Sequence, residues 1–282
     1  MQASPLSTPR SMLFVSGEKA ERFPKAMNAG ADVVCIDLED AVHPDRKAEA
    51  RGAVLDWLKS NVTAEPGPAV ALRINGVRTA DGEKDIEALR DSGVRPDWLL
   101  VPKVEDPADL KALHAGAGDR YQRLVALIES PRGVENAFAI AQTSGLGALM
   151  LGGADLSAEL GARFGWDGLL YARGRLVNAA KAAGLQAWDV PHIDLADSAG
   201  LAEETRRVLA MGYDCKTAIH PQQIATIHAA FRPTPAELEW AQALLQAVPD
   251  GQASGAFIFQ GRMVDAPVLR KARRVVELAR LT

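Results

Sequence analysis

Short, largely apolar runs recur along the chain, each followed by a polar turn and then by a stretch whose apolar positions repeat every three or four residues. The runs at 11–15, 32–36, 69–74, 98–101, 124–128, 148–151, 185–190 and 216–219 predict eight strands. Between them, stretches such as 46–59, 131–142, 170–183 and 195–211 predict amphipathic helices. Strands that are apolar throughout, rather than alternating, suit a parallel sheet whose outer face is covered. Their alternation with helices calls for βαβ units. Eight such units predict an α/β chain folded as a (β/α)8 TIM barrel over residues 1–232, with an open doubly wound sheet as the rival arrangement.

Residues 233–282 predict a C-terminal hairpin-plus-helix extension too short to be an independent domain. Within it, Thr234 can cap a helix over 233–248 whose first turn suits Pro235. A small hairpin follows, with residues 256–259 and 263–264 about the Gln260-Gly261 turn. A basic amphipathic helix over 267–281 ends the extension, which is expected to fold over its own barrel mouth or a neighbouring subunit's.

Composition narrows the field. Of 282 residues, 48% are apolar and 24% charged, ordinary for a globular protein. A formal charge of −4 argues against a nucleic-acid surface. No apolar run approaches the ~20 residues that span a membrane, and residues 1–9 carry neither the basic start nor the apolar core of a signal peptide. Cys35 and Cys215 sit inside strand-like runs and predict buried, reduced thiols in a cytoplasmic protein rather than a disulfide framework.

In a (β/α)8 barrel the chemistry sits where the strands end, and polar residues collect there. Strand two ends in Asp37-Leu38-Glu39-Asp40, strand three in Arg73-Ile74-Asn75-Gly76, strand four in Pro102-Lys103 and strand five in Glu129-Ser130. Strand six ends in Gly152-Gly153-Ala154-Asp155, and strand eight in His220. Glu129 and Asp155 would be neighbours on the rim, and two carboxylates with water and a chelating substrate make a Mg2+ site. Each alone could instead serve a helix start, Glu129 ahead of the cap pair Ser130-Pro131 and Asp155 as a cap itself. No histidine or cysteine spacing favours a softer metal. Arg73 at the end of an apolar strand calls for an anion, either a substrate carboxylate or an internal partner such as Asp37 or Glu39. Asp37, Glu39 and Asp40 read as organisers of the nearby cations and of metal-bound water. Lys103 reads as a charge partner rather than a Schiff-base amine. Neither GxGxxG after a strand, nor GxxxxGK[ST], nor GxSxG is present, so a nucleotide cofactor and a serine nucleophile are not indicated.

Taken in order, Arg10-Ser11-Met12-Leu13-Phe14-Val15, Ile36-Asp37-Leu38-Glu39-Asp40-Ala41-Val42, Leu72-Arg73-Ile74-Asn75, Val101-Pro102-Lys103-Val104-Glu105, Leu127-Ile128-Glu129-Ser130, Leu151-Gly152-Gly153-Ala154-Asp155-Leu156 and Ala218-Ile219-His220-Pro221-Gln222-Gln223 form a specific set. By it the chain resembles the citrate lyase β-subunit-like branch of the HpcH/HpaI aldolase family, which includes malyl-CoA lyases. The resemblance runs from about residue 10 to residue 280. It implies a Mg2+-dependent carbon–carbon lyase that takes a coenzyme A thioester as substrate and yields an acetyl thioester and a 2-oxo acid. Glu129 and Asp155 would hold the metal, Arg73 would grip the substrate carboxylate, and Gly153 and Ala154 would border the substrate. It further implies that Asp265, in Gly261-Arg262-Met263-Val264-Asp265-Ala266-Pro267, is the catalytic carboxylate, although the residues alone read it as a helix cap before Pro267. A trimer or a hexamer, built by that segment crossing to a neighbouring barrel, is implied as well. Arg22 and Lys25 match positions of cations near coenzyme A. Ser16, Cys215 and the segment 187–192 depart from the family pattern, which leaves the identity of the substrate open. Two alternatives stand beside this reading: a CoA-independent class II aldolase, and a subunit active only with an acyl-carrier partner.

Overall fold

The computed structural model describes residues 8–61, 67–248 and 255–280. Eight parallel strands close into a barrel in chain order: β1 (Ser11–Ser16), β2 (Val33–Asp37), β3 (Ala69–Arg73), β4 (Trp98–Val101), β5 (Arg123–Ile128), β6 (Leu146–Leu151), β7 (Gln186–Asp189) and β8 (Cys215–Ala218). β8 pairs back onto β1 through Ser11↔Lys216, Met12↔Thr217 and Leu13↔Ala218. The expected (β/α)8 barrel is therefore present, and the open sheet is not.

The strands differ from expectation mainly at their ends. β6 begins at Leu146, and β8 stops at Ala218 because the next two residues turn outward, where the Ile219 N–H donates to Gln223 Oε1 at 2.9 Å. Helices cover the barrel: α1 (Phe23–Met27), α2 (Lys47–Asn61), α3 (Ala80–Ser92), α4 (Pro107–Ala117), α5 (Pro131–Ala141), α6 (Gly153–Leu160), α7 (Trp166–Ala182), α8 (Ser198–Met211) and α9 (Gln223–Phe231). α8 starts later than the apolar pattern predicts, because the Asp197 side chain caps it by accepting from the Gly200 N–H at 2.8 Å.

The interior is a packed plug rather than a pore. Met12, Cys35, Trp98, Leu100, Val125, Leu127, Met150, Trp188 and Cys215 fill it, with the Trp98 and Trp188 rings edge to face at 5.0 Å between centroids. Both cysteines are free and buried there, and burial pushes their thiols well up. Such thiols are inert.

The chain divides into two compact units at Ile227 and His228. The second unit contains α10 (Pro235–Ala247), a hairpin of β9 (Phe257–Phe259) and β10 (Arg262–Val264), and α11 (Ala266–Arg280). Thr234 caps α10, as the sequence predicts, and Glu237 completes a capping box with it. Ala241, Leu244, Val264, Leu269 and Ala272 make this unit's own small core. Among the described residues no helix is long and apolar enough to cross a membrane.

Candidate active site

Parallel register sets the site. Ser16 lies opposite Asp37, and Asp37 opposite Arg73, so these three residues form a row across the ends of β1, β2 and β3. On the other side, Ile128 pairs with Leu151, which brings Glu129 beside Gly152. A cavity of about 340 Å³ lies at this rim, and Asp37, Asp40, Arg73, Glu129, Gly153, Ala154 and Asp155 all line it.

The Arg73 guanidinium is already gripped. Its Nε and Nη2 donate to the two oxygens of Asp37 at 2.7 and 2.6 Å, a bidentate pair. Its Nη1 stands 2.8 Å from Glu39 Oε2 and 3.2 Å from Asp40 Oδ2, and the guanidinium carbon sits 5.2 Å from the centroid of the Phe14 ring. Burial opposes the charge, yet the carboxylates outweigh it and raise the Arg73 pKa. The internal ion pair is thus real, and it orients the fork toward the cavity. Asp37 is buried and fully used by Arg73 and by the backbone of Glu39 and Ala41, whereas the Asp40 side chain is 57% exposed.

Glu39 links this cluster to Lys103, whose Nζ lies 3.0 Å from Glu39 Oε1. Burial lowers the Lys103 pKa, but the hydrogen bond that its ammonium donates to Glu39 and the charges of Glu39, Asp40 and Glu129 raise it further, so the amine remains an ammonium. The amine is thus paired with a carboxylate, the arrangement of a charge partner. Lys103 also adopts a left-handed backbone (φ 55°). The bend aims its N–H at Glu129 Oε1, 2.7 Å away.

Neither candidate metal carboxylate is occupied with a helix cap. Ser130 caps α5, accepting from the Gly133 N–H at 3.1 Å. α6 starts after Gly152 with no side-chain cap, and Asp155 stands in its first turn, exposed. Glu129 is buried, and burial, then the charge of Glu39, and also that of Asp155, push its pKa up to about 8 against the Lys103 N–H. A buried carboxyl beside two others is what a hard divalent cation would relieve. Both donors are oxygen, which fits Mg2+.

Gly152 is required by close packing. A Cβ there would lie 2.4 Å from Glu129 Cβ and 2.5 Å from its Oε2. Gly152→Ala is expected to displace the Glu129 carboxylate and weaken Mg2+ binding at least ~tenfold, with the barrel still folded. Titration calorimetry with Mg2+ and a circular-dichroism melt would check both halves; unchanged affinity would detach Glu129 from the metal. Gly153 is similarly enclosed, its Cβ position lying 2.7 Å from Leu169 and 2.8 Å from Val190.

A second cavity, of about 520 Å³, adjoins the first. Arg22 and Lys25 line it, together with Lys19, Ser16 and His220. Phe14, Ala41 and Ile219 line both cavities. Three cations on the short segment 19–25 could have been noticed from their spacing alone.

Also unforeseen is a buried ionic cluster behind β7 and β8. Arg173 pairs with Asp189 at 2.9 Å and with Glu204 at 3.0 Å. Lys216 reaches Asp189 at 2.7 Å and Glu204 at 2.6 Å, and His192 Nδ1 lies 2.9 Å from Glu204. Asp189 and Lys216 are register partners, so charges at facing positions of two apolar strands were the available signal. None of these five residues lines either cavity, so the cluster anchors strands.

In the C-terminal unit, Asp265 precedes α11 and its Oδ1 accepts from the Val268 N–H at 3.3 Å. It is half-buried and does serve as the helix cap that the residues alone predicted.

Comparison with known proteins accords with this architecture. The family model for HpcH/HpaI aldolase/citrate lyase matches residues 10–221. Citramalyl-CoA lyase, mitochondrial, of Homo sapiens is 35% identical over 96% of this chain and 85% of its own length. (3S)-malyl-CoA thioesterase of Cereibacter sphaeroides is 35% identical over 96% of this chain and 94% of its own. Among solved structures, protein CitE from Mycobacterium tuberculosis, in complex with magnesium, acetoacetate and coenzyme A, superposes with a TM-score of 0.82 at 35% identity, covering 97% of this chain and 99% of that one. The chain belongs to the HpcH/HpaI aldolase/citrate lyase family.

Proposed function

We propose that this protein is a Mg2+-dependent carbon–carbon lyase. It cleaves or forms a 3-hydroxyacyl-CoA-type thioester, of the malyl-CoA, citramalyl-CoA or citryl kind, with an acetyl thioester and a 2-oxo acid as the other side of the reaction. The observation that carries the reading is the convergence of Glu129, Asp155 and Arg73 on one cavity. The lyase and thioesterase names of its relatives, and the magnesium and coenzyme A in the related structure, support it.

Glu129 and Asp155 are the residues that would hold the metal. Mg2+ bound there would polarise the carbonyl of the 2-oxo acid as a Lewis acid. Arg73 orients the acid's carboxylate. Its fork is fixed by Asp37, and Asp40, the most exposed of its partners, is the one a substrate carboxylate would replace at Nη1. Gly153 and Ala154 keep the facing wall of the cavity low enough for a ligand to lie close to backbone. Asp265 is assigned, on the resemblance of its segment, the proton exchange at the methyl carbon of the thioester, as base in one direction and acid in the other. A trimer or a dimer of trimers, in which that segment crosses to a neighbouring barrel, belongs to the same proposal.

The cation-lined second cavity favours a phosphate-bearing thioester over free hydroxy-oxo acids, because Lys19, Arg22 and Lys25 line it and, among the described residues, no carboxylate does. Malyl-CoA, citramalyl-CoA and citryl-CoA, assayed with and without Mg2+, and in reverse with acetyl-CoA plus glyoxylate, pyruvate or oxaloacetate, provide the test. Metal-dependent turnover of at least one thioester by the isolated chain is expected. So is a rise in melting temperature on the order of 5 °C at acetyl-CoA concentrations far above Kd. Turnover of free acids with no response to coenzyme A would establish a CoA-independent aldolase instead, and activity only alongside an acyl-carrier protein would establish a carrier-dependent subunit.

A further inference from the structure

The two cavities meet at a wall formed by Phe14, Ala41 and Ile219, and Ala41 is held there by an unusual tie. The Ser16 hydroxyl, at the end of β1, donates to the Ala41 carbonyl oxygen at 2.5 Å and accepts the Glu18 N–H at 3.2 Å. The Glu18 carboxylate in turn accepts the His43 N–H. Both links run from the loop that introduces Lys19, Arg22 and Lys25 to the loop that carries Asp40 and Ala41. The Ala41 N–H meanwhile donates to Asp37 Oδ2 at 3.1 Å, the oxygen that lies 2.6 Å from Arg73 Nη2. One run of contacts therefore leads from the guanidinium in the first cavity to the residue just before Lys19: Arg73, Asp37, Ala41, Ser16, Glu18.

A ligand with a phosphate-bearing end among those cations and an acyl end beside Arg73 must cross the Ala41 wall. The height and orientation of that wall then decide whether both ends can be seated at once. Ser16 lies opposite Asp37 in the sheet, but its hydroxyl spends its hydrogen bonds on the two loops. We propose that Ser16 is a positioning residue, which sets the spacing between the two cavities and so the fit of the thioester arm. This rests on the lyase reading above and deepens it.

The test compares wild type with Ser16→Ala and Ser16→Thr. Affinities for acetyl-CoA, for Mg2+ and for pyruvate in the presence of Mg2+ would be measured by calorimetry, together with KM, kcat and melting temperature on the thioester the wild type turns over. Loss of the hydroxyl's two neutral hydrogen bonds is expected to weaken acetyl-CoA binding and raise the thioester KM about three- to tenfold in Ser16→Ala. Pyruvate and Mg2+ affinities should stay within about twofold, and Ser16→Thr, which keeps a hydroxyl, should recover most of the loss. Unchanged acetyl-CoA affinity in Ser16→Ala would overturn the proposal. So would parallel loss of acetyl-CoA, pyruvate and thermal stability, which marks a merely structural role. A wild type that binds pyruvate and Mg2+ but not acetyl-CoA would overturn the lyase reading itself, and this inference with it.

Discussion

Glu129→Gln is expected to abolish Mg2+ binding, weakening it by more than about 100-fold, because replacement of even an outer partner of a metal ligand costs 10- to 100-fold. The pH dependence of the wild type supplies the sign. Burial first, and then the charge of Glu39, raise the Glu129 carboxyl to about 8, so in the metal-free protein it is largely protonated at neutral pH. A cation needs the carboxylate, and binding must expel the proton. Apparent Mg2+ affinity should therefore rise roughly tenfold per pH unit between about pH 6 and 8 and flatten above. Stability of the metal-free protein runs the other way. With the folded pKa raised above the ordinary carboxylate value, the folded state binds this proton more tightly than the unfolded state, and the contribution of the group is lost as pH rises toward 8. Calorimetry in two buffers of different ionisation enthalpy would detect close to one proton released per Mg2+ near pH 7. A Kd that is flat from pH 6 to 8 would remove Glu129 from the metal site.

The second large effect concerns Asp265. Asp265→Asn keeps a side-chain oxygen that can cap α11 but cannot exchange a proton, so turnover should fall roughly 10²- to 10⁴-fold while Mg2+-dependent binding of a 2-oxo acid persists. Asp265→Ala should lose the same activity and, in addition, about 1 kcal/mol of helix capping. Melting curves separate the two variants, and single-turnover assays measure the chemical step. If Asp265→Asn turns over normally, the residue is a cap and nothing more, and the proton exchange belongs to another group.

The barrel was legible because its strands are apolar on both faces, a pattern that only a covered, parallel sheet explains. The rim was legible for the complementary reason: Arg73 and Glu129 each end a run that would otherwise continue into oil. What the pattern could not show was who partners whom. The competing readings of Arg73, substrate grip or internal ion pair, differ only in tertiary contacts, and the structure shows that Asp37 holds the fork. For Glu129 and Asp155, local capping was a fair reading of Ser130-Pro131 and of a glycine pair before an aspartate. In the structure Ser130 supplies the one cap, and Asp155 stands in the first turn of α6, which has no side-chain cap. The Arg173–Asp189–Glu204–Lys216 cluster escaped notice because its members come from two helices and two strands, and periodicity reports faces, not pairings.

The left-handed bend at Lys103 has an evolutionary corollary. Holding a side-chain-bearing residue in that conformation costs about 1–2 kcal/mol, and glycine would recover it. Glycine would also strip the ammonium from Glu39, 3.0 Å away, leaving a buried acid with Arg73 as its remaining cationic partner. Selection for heat resistance and selection for chemistry thus push this position in opposite directions, and laboratory lineages bred only for thermal survival would be drawn toward a sturdier barrel with an unbalanced rim.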